Sequence, residues 1–243
     1  MTPLVILAWL ASEEPERVAA ARTTHQAALI EKVEALGLAW PPHELYVRMF
    51  KDERAVEVWV GDGRAPLQQL DTFSECGASG AIGPKVAQGD LQVPEGFYVV
   101  TGVNPWSPGL LSLQLDYPND ADRARRVLRA VDVKDAATMP LGGDIAVHGT
   151  CISTGCLAID DAPIEQLYLL ALEPRKRGRT IRVHLFPTRL DSVHVNALVE
   201  RTDDVSVVKL WTSMIPAYRA FEATHRTPLT WARGDGTYGV QAR

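Results

Sequence analysis

The sequence lacks a surplus of positive charge: 25 Lys and Arg stand against 30 Asp and Glu, a formal net charge of −5. A strongly basic nucleic-acid binder is excluded, because neutralising phosphates needs the opposite balance. The chain also lacks any apolar run of the roughly 18–20 residues that a membrane-spanning helix requires, so no integral membrane segment is expected. Cysteine is scarce. Cys76, Cys151 and Cys156 are too few for a disulfide-stapled mini-domain, and their odd number leaves at least one thiol unpaired. Internal repeats and low-complexity segments are absent as well. What is present, 46% hydrophobic and 23% charged residues in a chain of 243, suffices for a sizeable core. One compact domain, at most with a small appendage, is the expectation.

The opening Pro3 to Ala11 is apolar and ends in small residues, but no Lys or Arg precedes it. It fits either the remnant of a secretion signal (1–11) or a short buried segment. Ser12 is placed to cap a helix running to about Leu36, with Glu13, Glu14 and Glu16 at its positive end, and Trp40-Pro41-Pro42 forces an extended linker. Residues 12–42 are therefore a helix and linker. From Leu45 the texture changes to short alternating segments, 45–50, 55–60, 96–100 and 110–117, separated by glycine and proline, which predict strands. Residues 120–129 predict a short helix and 144–148 a strand ending at His148. Asp161 can cap a helix whose Ile164, Leu167, Tyr168 and Ala171 form one apolar stripe, broken by the basic run 175–179. Residues 180–187 predict a further strand. Residues 207–221 have helical spacing, with Pro216 expected to kink them.

The chemistry concentrates in Asp144 to Asp161, DIAVHGTCISTGCLAIDD, where a histidine, two glycines, hydroxyls and two thiols follow a strand. A thiol attacks only as the thiolate, and imidazole titrates in the range that lets it take the proton. His148 and Cys156 suit the roles of base and nucleophile. Gly155 permits a sharp turn, so that amides around Gly155 and Cys156 can face an oxyanion. Ser153 and Thr154 can cap the turn or bond the imidazole.

The string HGTCISTGCLAIDD resembles the HG…SxGC signature of the L,D-transpeptidase (YkuD-type) catalytic domain, with His148-Gly149 and Ser153-Thr154-Gly155-Cys156 in register. The segments 50–60, 79–100, 104–107, 116–123 and 183–187 are similar to the YafK-type branch of that family. The resemblance covers about Leu45 to Pro187. It implies an α+β, β-rich fold, a YkuD-like mixed β-sandwich with peripheral helices, whose catalytic domain spans 43–190 and whose helical extension spans 191–243.

The resemblance further implies an enzyme of peptidoglycan, acting in the periplasm or cell envelope without a cofactor. Cys156 would attack a meso-diaminopimelate-containing stem peptide to form a thioester. An amine acceptor makes it a transpeptidase, whereas water makes it an amidase that can release wall-linked lipoprotein. His148 is then the general base and acid, oriented by a backbone carbonyl rather than by Asp144. Ser153, Gly149 and Gly155 resemble loop-shaping positions, while Tyr117, Asn119 and Lys85 sit in motif blocks that can line the donor groove. Trp106, in a Pro-flanked turn, is a further candidate for substrate contact. Two departures stand out: Ala158 occupies the place where many members carry an arginine, and no histidine lies between His43 and His148.

Other readings use the same residues. Zinc can be held by His148, Cys151, Cys156 and Cys76, although no paired CxxC knuckle accompanies them. Cys76 and Cys151 can instead form a disulfide that leaves Cys156 free. A degenerate fold that binds peptidoglycan peptides without turnover is the third reading, and a papain-like protease is disfavoured because its cysteine precedes its histidine. His184 predicts a half-buried strand histidine, Met139 and Met214 gap-fillers, and Trp40, Trp59, Trp211 and Trp231 core or rim positions.

Overall fold

The computed structural model describes residues 14–77, 80–132 and 140–243. The apolar opening, Ser12 and Met139 lie outside the described residues. Among those described, no helix is long and apolar enough to cross a membrane.

Eight strands form one mixed sheet in the order β3-β2-β1-β8-β4-β5-β6-β7. They are β1 (Glu44–Phe50), β2 (Ala55–Gly61), β3 (Gln68–Ser74), β4 (Gly96–Asn104), β5 (Ser112–Leu115), β6 (Ala146–His148), β7 (Leu157–Ala158) and β8 (Arg182–Phe186). The pairs β1–β8 and β6–β7 are parallel and the rest antiparallel. A separate hairpin joins β9 (Leu229–Ala232) and β10 (Tyr238–Gln241). With five helices among the described residues, the fold is the α+β, β-rich class expected.

Strand alternation explains why the central strands are apolar along almost their whole length. Val47, Met49, Val56, Val58, Val183 and Leu185 face one layer of core, together with helices α1 (Glu16–Ala35) and α3 (Asp161–Lys176). Their neighbours Phe50 and Phe186 face the opposite layer, under α5 (Val205–Thr224) with its Leu210, Trp211 and Met214. A sheet covered on both faces has no solvent side to mark with polar residues. The buried exceptions are paired: Arg48 lies opposite Glu57 in register, at 2.5 Å, and also reaches Glu222 at 2.6 Å. Removing one partner would strand a charge beneath α5.

Helix α1 buries Val18, Ala21, Leu29 and Val33 in the same core layer as α3, and His25 meets Glu165 across them at 2.7 Å. Its Arg17 donates to the carbonyls of Ser107 and Leu110, both at 2.8 Å, and so ties down the loop after β4. Helix α2 (Asp120–Asp132) is entered through Asn119, whose Oδ1 accepts the Ala121 amide. Helix α4 (Ser192–Val199) is capped by Asp191.

Several local expectations are corrected. The cap of α3 is Asp160, not Asp161, and the helix continues through Arg175 and Lys176 because basic side chains suit its negative end. Pro216 sits inside α5, which runs unbroken from Val205 to Thr224. His184 is fully buried rather than half-buried, bonded through Nδ1 to the Tyr46 hydroxyl at 2.7 Å. Burial holds its imidazole well below the ordinary histidine range. Trp59 and Trp211 are core residues and Met214 is fully buried, whereas Trp231 is 49% exposed.

Candidate functional site

β6 and β7 lie at the end of the sheet, and the loop between them carries the residues singled out in the sequence. Val147 pairs with Leu157 and His148 with Ala158. Val147 and Leu157 face the core, and Cys156, just before β7, packs against the same core cluster. In register Cys156 lies beside Ala146, two residues before Ala158, the partner of His148.

His148 is held from several sides. Its Nδ1 lies 2.5 Å from the Gly149 carbonyl. A carbonyl only accepts, so Nδ1 carries the proton and Nε2 keeps its lone pair, the tautomer a general base needs. The orienting group is a backbone carbonyl, with Asp144 playing no part in that contact. Gly109 packs against the ring so closely that a Cβ there would sit 2.6 Å from Nδ1. Gly109 also accepts the Gly149 amide at 2.9 Å, and Arg17 fixes the carbonyls on either side. Asp161, in the first turn of α3, accepts the Thr150 amide at 2.7 Å.

The loop is clamped in its middle by a disulfide between Cys76 and Cys151, with Cα atoms 4.9 Å apart. The Cys76 amide donates to the Ala158 carbonyl at 2.9 Å, so the residue after β3 is tied to both the loop and β7. Cys156 is the free thiol. The disulfide consumes two of the sulfurs that a zinc site would use, and no metal-holding cluster occurs among the described residues.

Cys156 opens onto a cleft of about 830 Å³ walled by Lys85, Gln88 and Gly89 on one side and residues 140–145 on the other, with Pro118 and Thr154 completing it. The thiol donates to the Asp144 carbonyl at 3.7 Å. Burial pushes its pKa up, the Ala146 amide and the Lys85 ammonium pull against that, and the Asp144 carboxylate adds to it. His148 is not among the residues that line the cleft.

The remaining candidates divide. Thr154 and Lys85 line the cleft. Ser153 folds the loop, donating to the Cys156 carbonyl at 2.7 Å and accepting the Gly155 amide at 3.1 Å. That second bond takes up the Gly155 N–H, one of the amides expected to face an oxyanion. Gly155 itself is required, having φ of +133° and standing 3.0 Å, at its Cβ position, from the Gln92 carbonyl. Tyr117 is buried and braces the cleft wall through its hydroxyl, 3.3 Å from the Leu141 carbonyl. Asn119 lies outside the cleft, its amide taken up by the Phe97 carbonyl and the Tyr238 hydroxyl. Trp106 also lies outside it, 73% exposed. Ala158 is fully buried on β7, where a guanidinium would have no room. Sequence reasoning missed Gly109, Arg17 and Asp161 as supports of His148, and only the doubled acid Asp160-Asp161 before an apolar helix hinted at one of them.

The mixed sheet thus ends in a loop that carries histidine, disulfide and free thiol, with the thiol at a cleft. Comparison bears out the resemblance. The chain is 29% identical, over 187 residues, to a protein of Escherichia coli (strain K12) that carries the name L,D-transpeptidase YafK, a match covering 76% of this chain and 69% of that one. The counterpart in Escherichia coli O157:H7 matches to the same extent. No family model matches the chain. Among solved structures, the K307A mutant of the helical cell shape determining protein Pgp2 from Campylobacter jejuni overlaps with a TM-score of 0.46 at 19% identity, over 75% of this chain and 58% of that one. Bd1075 of Bdellovibrio bacteriovorus overlaps with a TM-score of 0.41 at 16% identity, over 79% and 78%.

Proposed function

We propose that the protein is a peptidoglycan-active cysteine acyltransferase of L,D-transpeptidase type. The observation that carries this reading is a free thiol at a cleft, on the same loop as an imidazole whose Nδ1–H is committed to a carbonyl, which leaves Nε2 as the base. In this reading residues 43–190 form the catalytic unit and 191–243 an extension packed on it.

The chemistry follows from those two groups. Nε2 of His148 takes the Cys156 proton, and the thiolate attacks the carbonyl carbon of the scissile peptide bond beside meso-diaminopimelate in a stem peptide. The tetrahedral oxyanion collapses, the C–N bond breaks, and the imidazolium returns its proton to the leaving amine. A thioester remains on Cys156. The acceptor amine then gives a proton to Nε2 and attacks, forming the new amide and releasing the thiol. Water in the acceptor's place would make the product a free acid.

The Cys76–Cys151 bond supports a location outside the cytoplasmic membrane, in the periplasm or cell envelope, because such bonds persist in oxidising compartments. Incubation with tetrapeptide-stem muropeptides, and with stems bearing a linked lipoprotein fragment, followed by mass spectrometry, tests the reading. Cross-linked or exchanged stems are the expected products. Release of the fragment with incorporated water would reassign the protein as a hydrolase of wall attachments, and no turnover of either would leave a binding protein.

A further inference from the structure

Burial works against ionising Cys156, and the Gly155 amide is bonded to Ser153 rather than turned to the cleft's developing charge. Something else in the cleft has to meet the charge that sulfur gains. Among the described residues that line the cleft, Lys85 is the one cation and Asp144 the one anion.

Lys85 is unusually placed for a lysine, with its side chain only 4% exposed. The turn that follows it is organised by Asp90, whose carboxylate accepts the amides of Val86, Ala87 and Gln92 at 2.7, 3.0 and 3.0 Å. Burial opposes that charge, but the Lys85 ammonium and the three amides outweigh it and hold the Asp90 carboxyl below its ordinary value. Lys85 Nζ donates to Asp90 Oδ1 at 2.6 Å and to the Ala87 carbonyl at 3.0 Å. An ammonium carries three N–H groups, so one is left. On that side stands the backbone just before the nucleophile: Nζ is 3.3 Å from the Cβ position of Gly155. A side chain at 155 would crowd the ammonium.

We propose that Lys85 is a positioning residue for the nucleophile, its ammonium holding the negative charge on Cys156 Sγ while the proton resides on His148 Nε2. The groups acting on that sulfur are the Ala146 amide from β6, the Lys85 ammonium from the 85–92 turn and the Asp144 carboxylate from the opposite wall. Asp90 fixes the ammonium from behind. The turn 85–92 thus delivers a pre-placed cation rather than a flexible one, and no part of the donor has to supply it.

The inference rests on Cys156 being the nucleophile, but its test needs no peptidoglycan. Cys156 is the free thiol, so iodoacetamide reports its ionisation, followed by intact mass as a function of pH. Replacing Lys85 by Met removes the charge; a nearby opposite charge shifts a titration by roughly one to three units. In Lys85→Met the alkylation midpoint should move up by about one unit or more, with alkylation near pH 7.5 slowed about tenfold. Lys85→Arg should stay close to the unaltered protein. An unchanged midpoint in a folded Lys85→Met, or an equal rise in Met and Arg variants, would overturn the proposal and leave Lys85 as an anchor of its turn. If the Met variant fails to fold, Lys85→Gln, which keeps two donors for Asp90 and Ala87, carries the same expectation. A shifted midpoint without muropeptide turnover would fault the substrate reading and leave the role of Lys85 standing.

Discussion

Breaking the Cys76–Cys151 bond should cost both stability and turnover, and by amounts the structure sets. The bond joins residues 75 apart in sequence. In the chain-entropy model a closed loop of that length restricts the unfolded state by about 4.5 kcal/mol at 25 °C. For a chain of this size each kcal/mol moves Tm by roughly 2–4 °C, so loss of the bond should lower Tm by roughly 9–18 °C. The catalytic cost has a separate origin. Cys151 sits between His148 and Cys156, and a Cβ on Gly77 would lie 2.2 Å from the Cys151 carbonyl, so the segment after β3 is packed directly on the loop. Freed of its clamp, the loop can shift the imidazole relative to the thiol, and a displacement of about 1 Å can cost about 100-fold in rate. The assay compares the protein with Cys76→Ser/Cys151→Ser, which keeps Cys156 as the sole thiol, by thermal unfolding followed with circular dichroism and by muropeptide turnover. A Tm within about 2 °C of the parent, with turnover unchanged, would refute the argument.

Two further expectations follow from other positions. Gly109→Ala places a methyl 2.6 Å from His148 Nδ1, so the ring must move off the Gly149 carbonyl; turnover should fall about 100-fold while Tm changes far less, and undiminished turnover would show that the ring contact is not needed. Glu75 is pushed up to about 7 by burial, with Lys51 and Arg54 only partly offsetting. Its folded pKa thus exceeds the unfolded value, the folded state binds the extra proton, and stability present at low pH is lost as pH rises through about 7. Glu75→Gln should flatten that slope and be the more stable form at pH 8 by thermal unfolding; equal stability there would contradict the assignment.

The parts of the fold that local pattern dictates were legible. The runs 45–50, 55–60 and 180–187 became β1, β2 and β8 because strongly apolar strands suit a sheet covered on both faces. β3, written QQLDTFS, was not legible, since an edge strand takes polar residues and gets its place from pairing with β2. β7 has two residues and no signal of its own; it exists because the loop returns Cys156 beside Ala146. The strand expected from 110 begins only at Ser112, after Leu110 turns through φ of +70°. Nor does local pattern reveal that β8, late in the chain, inserts between β1 and β4. Of the site, the histidine and thiol could be read because the motif lies on one short loop. Lys85, Arg17 and Gly109 act across long sequence separations, so their contacts with the loop are a property of the packing. Asn119 and Trp106 matched motif blocks, yet one is spent on capping α2 and the other stands in solvent.

In the proposed chemistry Cys156 Sγ is the atom that carries the acyl group. Intact-protein mass spectrometry after rapid acid quench, following incubation with tetrapeptide-stem muropeptides, addresses it directly. A mass increase equal to the donor acyl group, located on Cys156 by peptide mapping and absent from a folded Cys156→Ala variant that forms no product, is the predicted result. Turnover that persists in Cys156→Ala, or an adduct on another residue, would contradict it.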